Sequence, residues 1–575
     1  MTRATSERSE RAAAAMASVE AEILRTTLSA LAEEVGAIVA NTAPTAEISQ
    51  AREFAVAITD KSGAVVATDN PMQVASMAQT VARVADYFEF DLHQGDVILT
   101  NDPYAGGSRL HDVTLTAPLM IDDELLLFVA VRMRIRDVGG QVGGSINPEA
   151  TEILAEGHPY TPVKIQRRGS PVRDMLYFFL LNGRHMQETR RTLDVGSAAL
   201  ALGQERLTEL VGRYGVKVVR GALAYAQTYS EQLARNAIRA WKRGSYEGEQ
   251  RLDLDPVTGG PVTVRLTATV ADDGLSLDFS RSDDQRQVFV NCPAGVTVSC
   301  ALSAVLAMLG DTVPANSGLL RAIEVRTRPG SVVHPTQPAP IGWGTAHCAN
   351  EVMEVVTTTL RAAVARPMSA LTVPRSLLLS RPLGDRSDQT DLGRWGIGGA
   401  SGLAGRDGWG PPQLSTRAQL PSVEQWEAEH AMRIEHLELA EDSGGSGQWR
   451  GAPGFEVRIA LAPDRLFTVW TQTAGNAVAG LAGGSAGGTG EVAFHTREGW
   501  QPAPISALEM AIHADCLRLR FAGGGGYGNP AERPRQAVID DLADGLISAT
   551  TARHVYGLSA AEIEQASQHT SNVRR

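Results

Sequence analysis

Residues 54–68 read Phe-Ala-Val-Ala-Ile-Thr-Asp-Lys-Ser-Gly-Ala-Val-Val-Ala-Thr. Apolar residues, many of them β-branched, flank the polar turn Asp60-Lys61-Ser62-Gly63, which is the chemistry of a β-hairpin. Upstream, Met16–Ala40 (MASVEAEILRTTLSALAEEVGAIVA) places apolar residues at helical spacing with acidic residues between them, so an amphipathic helix is expected there. Downstream, strands are expected at Asp96–Leu99, at Asp112–Leu119 and, after the acidic turn Asp122-Asp123-Glu124, at Leu125–Val131. Between the first two lies Asn101-Asp102-Pro103-Tyr104-Ala105-Gly106-Gly107-Ser108, a loop of the kind in which sites tend to sit.

Helical, charge-rich periodicity runs from Thr189 to Gly215 and on through Lys242, enough for two helices. Strands return at Val262–Val270 and Leu275–Phe279, followed by helices over Val296–Leu309 and Glu351–Ala365. Leu383 to Ser415 is rich in Gly, Asp, Arg and Pro and reads as a long loop or insertion. Beyond it, His436–Ala440, Glu456–Leu461 and Leu466–Thr471 read as strands separated by glycine clusters such as residues 443–447, and helices at Pro534–Leu542 and Ala560–Gln568 close the chain. The expected fold is α+β: a large mixed α/β body with several mixed or antiparallel sheets and a β-dominated C-terminal third. Three regions are expected, 1–220, 221–390 and 391–575.

At ~150 residues per domain, 575 residues allow two to four domains or one multi-lobed body. Hydrophobic residues at 43% and charged residues at 21% supply an ordinary core and exclude a disordered chain. With 57 glycines and only 5% aromatics, many tight turns and few stacking platforms are expected. Lys and Arg number 53 against 65 Asp and Glu, and the net charge of −12 argues against general nucleic-acid affinity. Four cysteines with no C-x-x-C pair are too few for a disulfide framework and point to a reducing, cytoplasmic compartment. The N-terminus has no apolar h-region, and no run of ~18 apolar residues occurs, so neither a signal peptide nor a membrane span is expected.

Of the local motifs, the tract Gly523-Gly524-Gly525-Gly526-Tyr527-Gly528 could cradle a phosphate, but it lacks the Lys-Ser/Thr end of a P-loop. A tight strand-to-helix turn that uses glycine's tolerance of positive φ is the simpler reading. No nucleophile elbow, zinc helix or Walker motif occurs, and nothing marks Ser76 or Ser145 as a nucleophile. Cys348 beside His347 would be an activated thiol only if the imidazole reached it. Adjacent side chains diverge on strands and helices alike, so a buried structural thiol is favoured.

The most unusual chemistry lies at Ser108-Arg109-Leu110-His111-Asp112 and Arg132-Met133-Arg134-Ile135-Arg136-Asp137. On a strand, Arg132, Arg134 and Arg136 would share one face. Three guanidiniums there need acidic partners or a bound anion if they are buried. Two readings stand side by side. One is a solvated edge with ion pairs to Asp112, Asp137 or Glu53. The other is a pocket for a carboxylate, bicarbonate or phosphate held in bidentate forks.

At these loops the sequence resembles the hydantoinase B/oxoprolinase family, whose relatives include the large subunits of acetone and acetophenone carboxylases, N-methylhydantoinase and caprolactamase. The resemblance runs nearly end to end. Its motifs are Gly95-Asp96-Val97-Ile98 with Asn101 to Gly107, Asp137-Val138-Gly139-Gly140, Ala150-Thr151-Glu152-Ile153 with Glu156-Gly157, Pro314 to Gly318, Asp442 to Gly447 with Arg450-Gly451, and Gly523 to Arg533. The resemblance implies a divalent metal, held by an aspartate after the first helix, a His-x-x-Asp loop and a later histidine. It also implies a separate hydantoinase A-like subunit that binds ATP and Mg.

In this chain those positions carry Glu53, Arg109 with Asp112, and Arg134. A guanidinium has no lone pair and repels a cation, so no metal site is expected. His111 could substitute as a ligand, but strand alternation would point it away from Asp112.

Two functions remain open. In the first, the chain is a subunit of an ATP-dependent carboxylase or cyclic-amide hydrolase in which Arg109, Arg134 and Asp112 are the catalytic group. Arg109, Arg134, Arg136, Glu53 and His111 would then hold an anion where relatives hold a metal, since a fixed positive charge can stabilise a developing oxyanion. In the second, the chain is a non-catalytic subunit in which Arg109–Asp112 and Arg134–Glu53 salt bridges staple the fold. No cofactor is expected on the chain itself. The expected partners are the hydantoinase A-like subunit and a small third subunit or a metal-binding paralogue, with no nucleic acid and no membrane.

Overall fold

The hairpin at residues 54–68 forms as its turn chemistry dictates. β1 (Phe54–Asp60) pairs antiparallel with β2 (Val65–Thr68), and the Asp60 carboxylate accepts from Ser62 N, Ser62 Oγ and Ala64 N across the turn. The structure is a computed structural model describing residues 2–144, 146–252, 260–368, 376–384, 390–395, 398–410, 420–430, 432–471, 477–504 and 506–573. Five further strands join the hairpin: β3 (Val97–Thr100), β4 (Asp112–Ile121), β5 (Glu124–Arg134), β6 (Val163–Arg167) and β7 (Ser170–Pro171). All pair antiparallel, in the order β2-β1-β5-β4-β3-β6-β7.

Strand alternation gives this sheet two different faces. Val56 and Ile58, Val113 and Leu115, and Val129, Val131 and Met133 point to one face. There they pack under the helices Thr2–Thr42, Met186–Tyr214 and Val216–Ile238, the first and the next two being the helical regions expected from periodicity. The opposite face carries Ala57, Phe128 and Ala130 beneath Val74, Met77 and Val81. Those three belong to the helix Val74–Tyr87, which was not among the expected elements. Further along this second face, the register pairs Thr114 with Arg132 and Asp112 with Arg134, so an apolar floor gives way to a polar strip.

The chain divides into two compact units, Met1–Glu247 with Arg265–Ala349, and Gly248–Val264 with Asn350–Arg575. In the first, Leu275–Asp278 pairs antiparallel with Thr267–Val270 and parallel with Ile323–Arg326. The second is β-dominated, as expected. Its sheets have the orders Thr390–Asp391, Ser376–Pro382, Arg465–Thr471, Ser506–Ala511 and Arg433–Leu439, Phe455–Ala460, Cys516–Arg520, Glu491–Thr496, Gly499–Pro502. They share a core that includes Leu378, Phe467, Val457, Phe494 and Leu517. The α+β assignment therefore holds. Part of the expected loop Leu383–Ser415 lies outside the described residues, as does Ser145. No helix among the described residues is long and apolar enough to cross a membrane.

The glycine tract is neither a phosphate cradle nor a simple turn. Gly523–Gly526 lie buried in a mesh of backbones: Gly445 N and Gly402 N donate to Gly524 O and Gly525 O, while Gly524 N and Gly526 N donate to Ala452 O and Ser485 O. Positive φ is not the reason for glycine there, since only Gly528 of the tract has it. The reason is close approach: a Cβ on Gly524 would stand 2.0 Å from Ala400 O.

Candidate functional site: a buried arginine–carboxylate cluster

Three strand ends bring the predicted residues together. Glu53 immediately precedes β1, Arg134 ends β5 and Asp112 begins β4, and these strands are neighbours in the order β1-β5-β4. The backbone sets the spacing, with Arg134 N donating to Glu53 O at 3.1 Å and Ile135 N to His111 O at 2.8 Å. Arg109 reaches in from the turn before β4, where Asp112 N donates to Arg109 O. Its Nε and Nη2 clasp Asp112 Oδ2 and Oδ1 at 3.0 and 3.1 Å, and Nη2 also reaches Glu53 Oε2 at 3.2 Å. Arg134 Nη1 donates to the same Glu53 oxygen, and Ser108 Oγ donates to Asp112 Oδ2 at 2.6 Å.

The four side chains are only 9–16% exposed, so this edge is not solvated, while ion pairs to Glu53 and Asp112 are present. Burial works against the Asp112 carboxylate, yet Arg109 and the Ser108 hydroxyl together hold it below the usual carboxylate range. Burial likewise opposes the charge on Arg134, and Glu53, with Asp112 and Glu47 beyond it, leaves that guanidinium more firmly protonated than usual. His111 is buried near them. Burial, then Arg134 and Arg109, push its imidazole down to about 3, so it is neutral. Neither ring nitrogen has a hydrogen-bond partner.

Arg132 and Arg136 do not join this cluster as ion-pairing members. Arg132 is buried, and its five N–H groups go to neutral oxygens only: Thr114 Oγ1, Gln73 Oε1, Ser76 Oγ, Thr80 Oγ1 and Gly106 O. Burial pulls this guanidinium down to about 10, still charged at neutral pH. Ser76, considered as a nucleophile, is thereby a fixed partner that also donates to Gly106 O. Strand β5 ends at Arg134, so Arg136 leaves the shared face and lies 3.7 Å from Glu188. Cys348 is fully buried, and the His347 ring packs on Trp343 with centroids 4.9 Å apart.

A divalent metal does not fit. The two positions expected to supply nitrogen donors present guanidiniums, and both are turned onto the carboxylates a metal would need. Among the described residues no group of three or more His, Cys, Asp or Glu side chains could hold a metal ion.

The α+β body and the glycine-meshed β unit are those anticipated from the motifs, while the cluster between the strand ends is particular to this chain's residues. The chain belongs to the hydantoinase B/oxoprolinase family, whose profile matches residues 17–530. The caprolactamase subunit beta of Pseudomonas jessenii is 26% identical over 524 residues, covering 87% of this chain and 89% of that one. The crystal structure of the ATP-dependent caprolactamase from Pseudomonas jessenii superposes with a TM-score of 0.83 at 23% identity, over 96% of this chain and 99% of the other. A nucleotide-free acetone carboxylase gives a TM-score of 0.82 at 17% identity, covering 97% and 83%.

Proposed function

We propose that this chain is the hydantoinase B-like subunit of an ATP-dependent complex that hydrolyses a cyclic amide or carboxylates a small carbonyl compound. In it, Arg109, Glu53, Arg134 and Asp112 form a fixed staple where relatives are expected to hold a metal. One observation carries this reading: both guanidiniums are directed at Glu53 and Asp112, and Glu47 adds a further carboxylate within electrostatic reach. A charge-balanced, hydrogen-bonded cluster of this kind can persist out of water, and it leaves no excess charge for a substrate anion. The energy-coupling chemistry then lies on a hydantoinase A-like subunit carrying ATP and Mg, with a small third subunit or a metal-bearing paralogue completing a cytoplasmic assembly.

A second reading makes the cluster an anion pocket for a carboxylate, bicarbonate or phosphorylated intermediate. It is favoured by His111, whose buried nitrogens have no partner and would suit a small hydrogen-bonding ligand beside Arg134. Arg134→Ala in the reconstituted complex separates the two. The staple reading expects a lower melting temperature with unchanged activity per assembled complex. A stable, fully assembled and inactive variant would overturn it in favour of the pocket.

A further inference from the structure

Away from the arginine cluster, segments far apart in sequence converge on one buried carboxylate. Glu156, 1% exposed, ends the short helical turn Ile153–Glu156. Its Oε2 accepts from Ile341 N at 2.9 Å and its Oε1 from Gly342 N at 2.7 Å. A Cβ on residue 342 would stand 2.8 Å from Glu156 Oε1, so any larger residue there would push the carboxyl out of its cradle.

The same short segment is gripped from its other sides. Tyr104 donates its phenol to Ala339 O, Asn291 Nδ2 donates to Pro340 O at 2.7 Å, and Ile153 N donates to Pro338 O at 2.8 Å. The titratable groups facing Glu156 are few. The loop after β3 brings Tyr104 and, behind it, Asp102, whose carboxyl is itself pushed up by burial. The segment Pro338–Gly342 offers only backbone N–H groups, and no cationic side chain among the described residues acts on Glu156. Two N–H dipoles favour the carboxylate, but a buried charge with no counter-ion remains costly.

We propose that Glu156 is a proton-binding site that latches the segment Pro338–Gly342 against its own turn, Ile153–Glu156, beside the Tyr104 contact. With the proton taken from solvent, the carboxyl sits neutral in its cradle. When the proton returns to solvent, an unpaired charge is left inside the clasp and the segment loosens. Burial pushes this carboxyl up to about 8, so the exchange falls in the physiological range. Because the folded value is the higher one, the stability contributed is complete below the ordinary carboxylate range and is lost as pH rises through about 8. The clasp also reaches the arginine cluster, since Asn101 Nδ2 donates to Leu110 O at 2.6 Å, next to His111 and Asp112.

The test compares the full wild-type chain with Glu156→Gln by hydrogen exchange of the peptides spanning 336–348, corrected for intrinsic rates. One linked proton sets the scale: wild-type protection should fall by at most about tenfold per pH unit between pH ~5 and ~8, while Glu156→Gln stays flat. Equal pH dependence in the two proteins would overturn the proposal. If the variant does not fold, infrared spectra of wild type carrying ¹³C-carboxyl glutamate decide instead. A protonated glutamic acid band at about pH 6.5 that vanishes by about pH 9.5 is expected, where ordinary glutamates are already ionised. No such band at the lower pH would equally overturn it.

Discussion

Arg132 and Arg134 stand two residues apart on one face of β5, yet Arg134 is bound to the Glu53 carboxylate while Arg132 touches no carboxylate at all. The difference follows from what lies opposite each of them. Arg134 pairs across the sheet with Asp112 at the strand ends, whereas Arg132 pairs with Thr114 and meets the hydroxyl-bearing face of the helix Val74–Tyr87.

Arg134→Ala should remove one of the two guanidiniums that bind the buried Glu53 carboxylate. Breaking a buried pair costs ~3–5 kcal/mol, so the melting temperature should drop by many degrees. Adding Glu53→Gln should recover part of the loss, because it removes the buried charge that Arg134 no longer balances. A double-mutant cycle by chemical denaturation measures the coupling, and strictly additive effects would exclude the ion pair as a staple.

The purified chain should contain no stoichiometric transition metal. Elemental analysis after dialysis checks this, and about one Zn, Mn or Fe per chain would contradict the structure's account of Arg109 and Arg134. The triple variant Arg109→His, Arg134→His, Glu53→Asp restores nitrogen donors and should raise the metal content.

Arg132→Lys should destabilise despite keeping the charge. Lysine has three donors in place of a planar fork of five, so at least two of the five acceptors lose their bond. At ~1–3 kcal/mol for each buried group left unsatisfied, the denaturation midpoint should fall clearly. A midpoint equal to that of wild type would mean that the hydroxyl cage is dispensable.

In the second unit, Arg533 is 2% exposed, binds both Asp407 oxygens at 2.7 and 2.8 Å, and reaches Asp541 at 2.7 Å. Burial opposes the Asp407 carboxylate, but Arg533 holds it below its usual range. The folded value is the lower one, so this stabilisation is present above the ordinary carboxylate range and lost as pH falls through the depressed value. Arg533→Met should therefore lower stability near neutral pH and flatten its decline on acidification, as followed by denaturation midpoints at several pH values.

Much of the scaffold was legible because its signals are local. The turn Asp60–Gly63 and the alternation through Val129, Val131 and Met133 carry their own strand chemistry, and the charged helices Met186–Tyr214 and Val216–Ile238 show their period. The helix Val74–Tyr87 escaped although Val74, Met77, Val81 and Val84 have helical spacing. The site was less legible. That Glu53, Arg109 and Arg134 meet came from the family resemblance, because their proximity depends on the order β1-β5-β4, which no single segment encodes. His111 sits in the turn before β4 and not within it, so strand alternation does not fix its direction. Arg132's partners were equally hidden, since they come from residues 73, 76, 80, 106 and 114.

The glycine mesh bears on when this protein can fold. Gly523–Gly526 complete hydrogen bonds begun at residues 402, 445, 452, 485 and 488, so every partner precedes them by at least 35 positions along the chain. Contacts of such long sequence separation form slowly and only after the loops between them close. On the ribosome, the second unit must wait until Gly523–Gly526 emerge, holding several glycine-rich backbones unpaired until then. Substituting alanine for Gly524 would make that waiting state permanent, and a chaperone bound to such a chain would be reporting one added methyl group in a mesh of backbones.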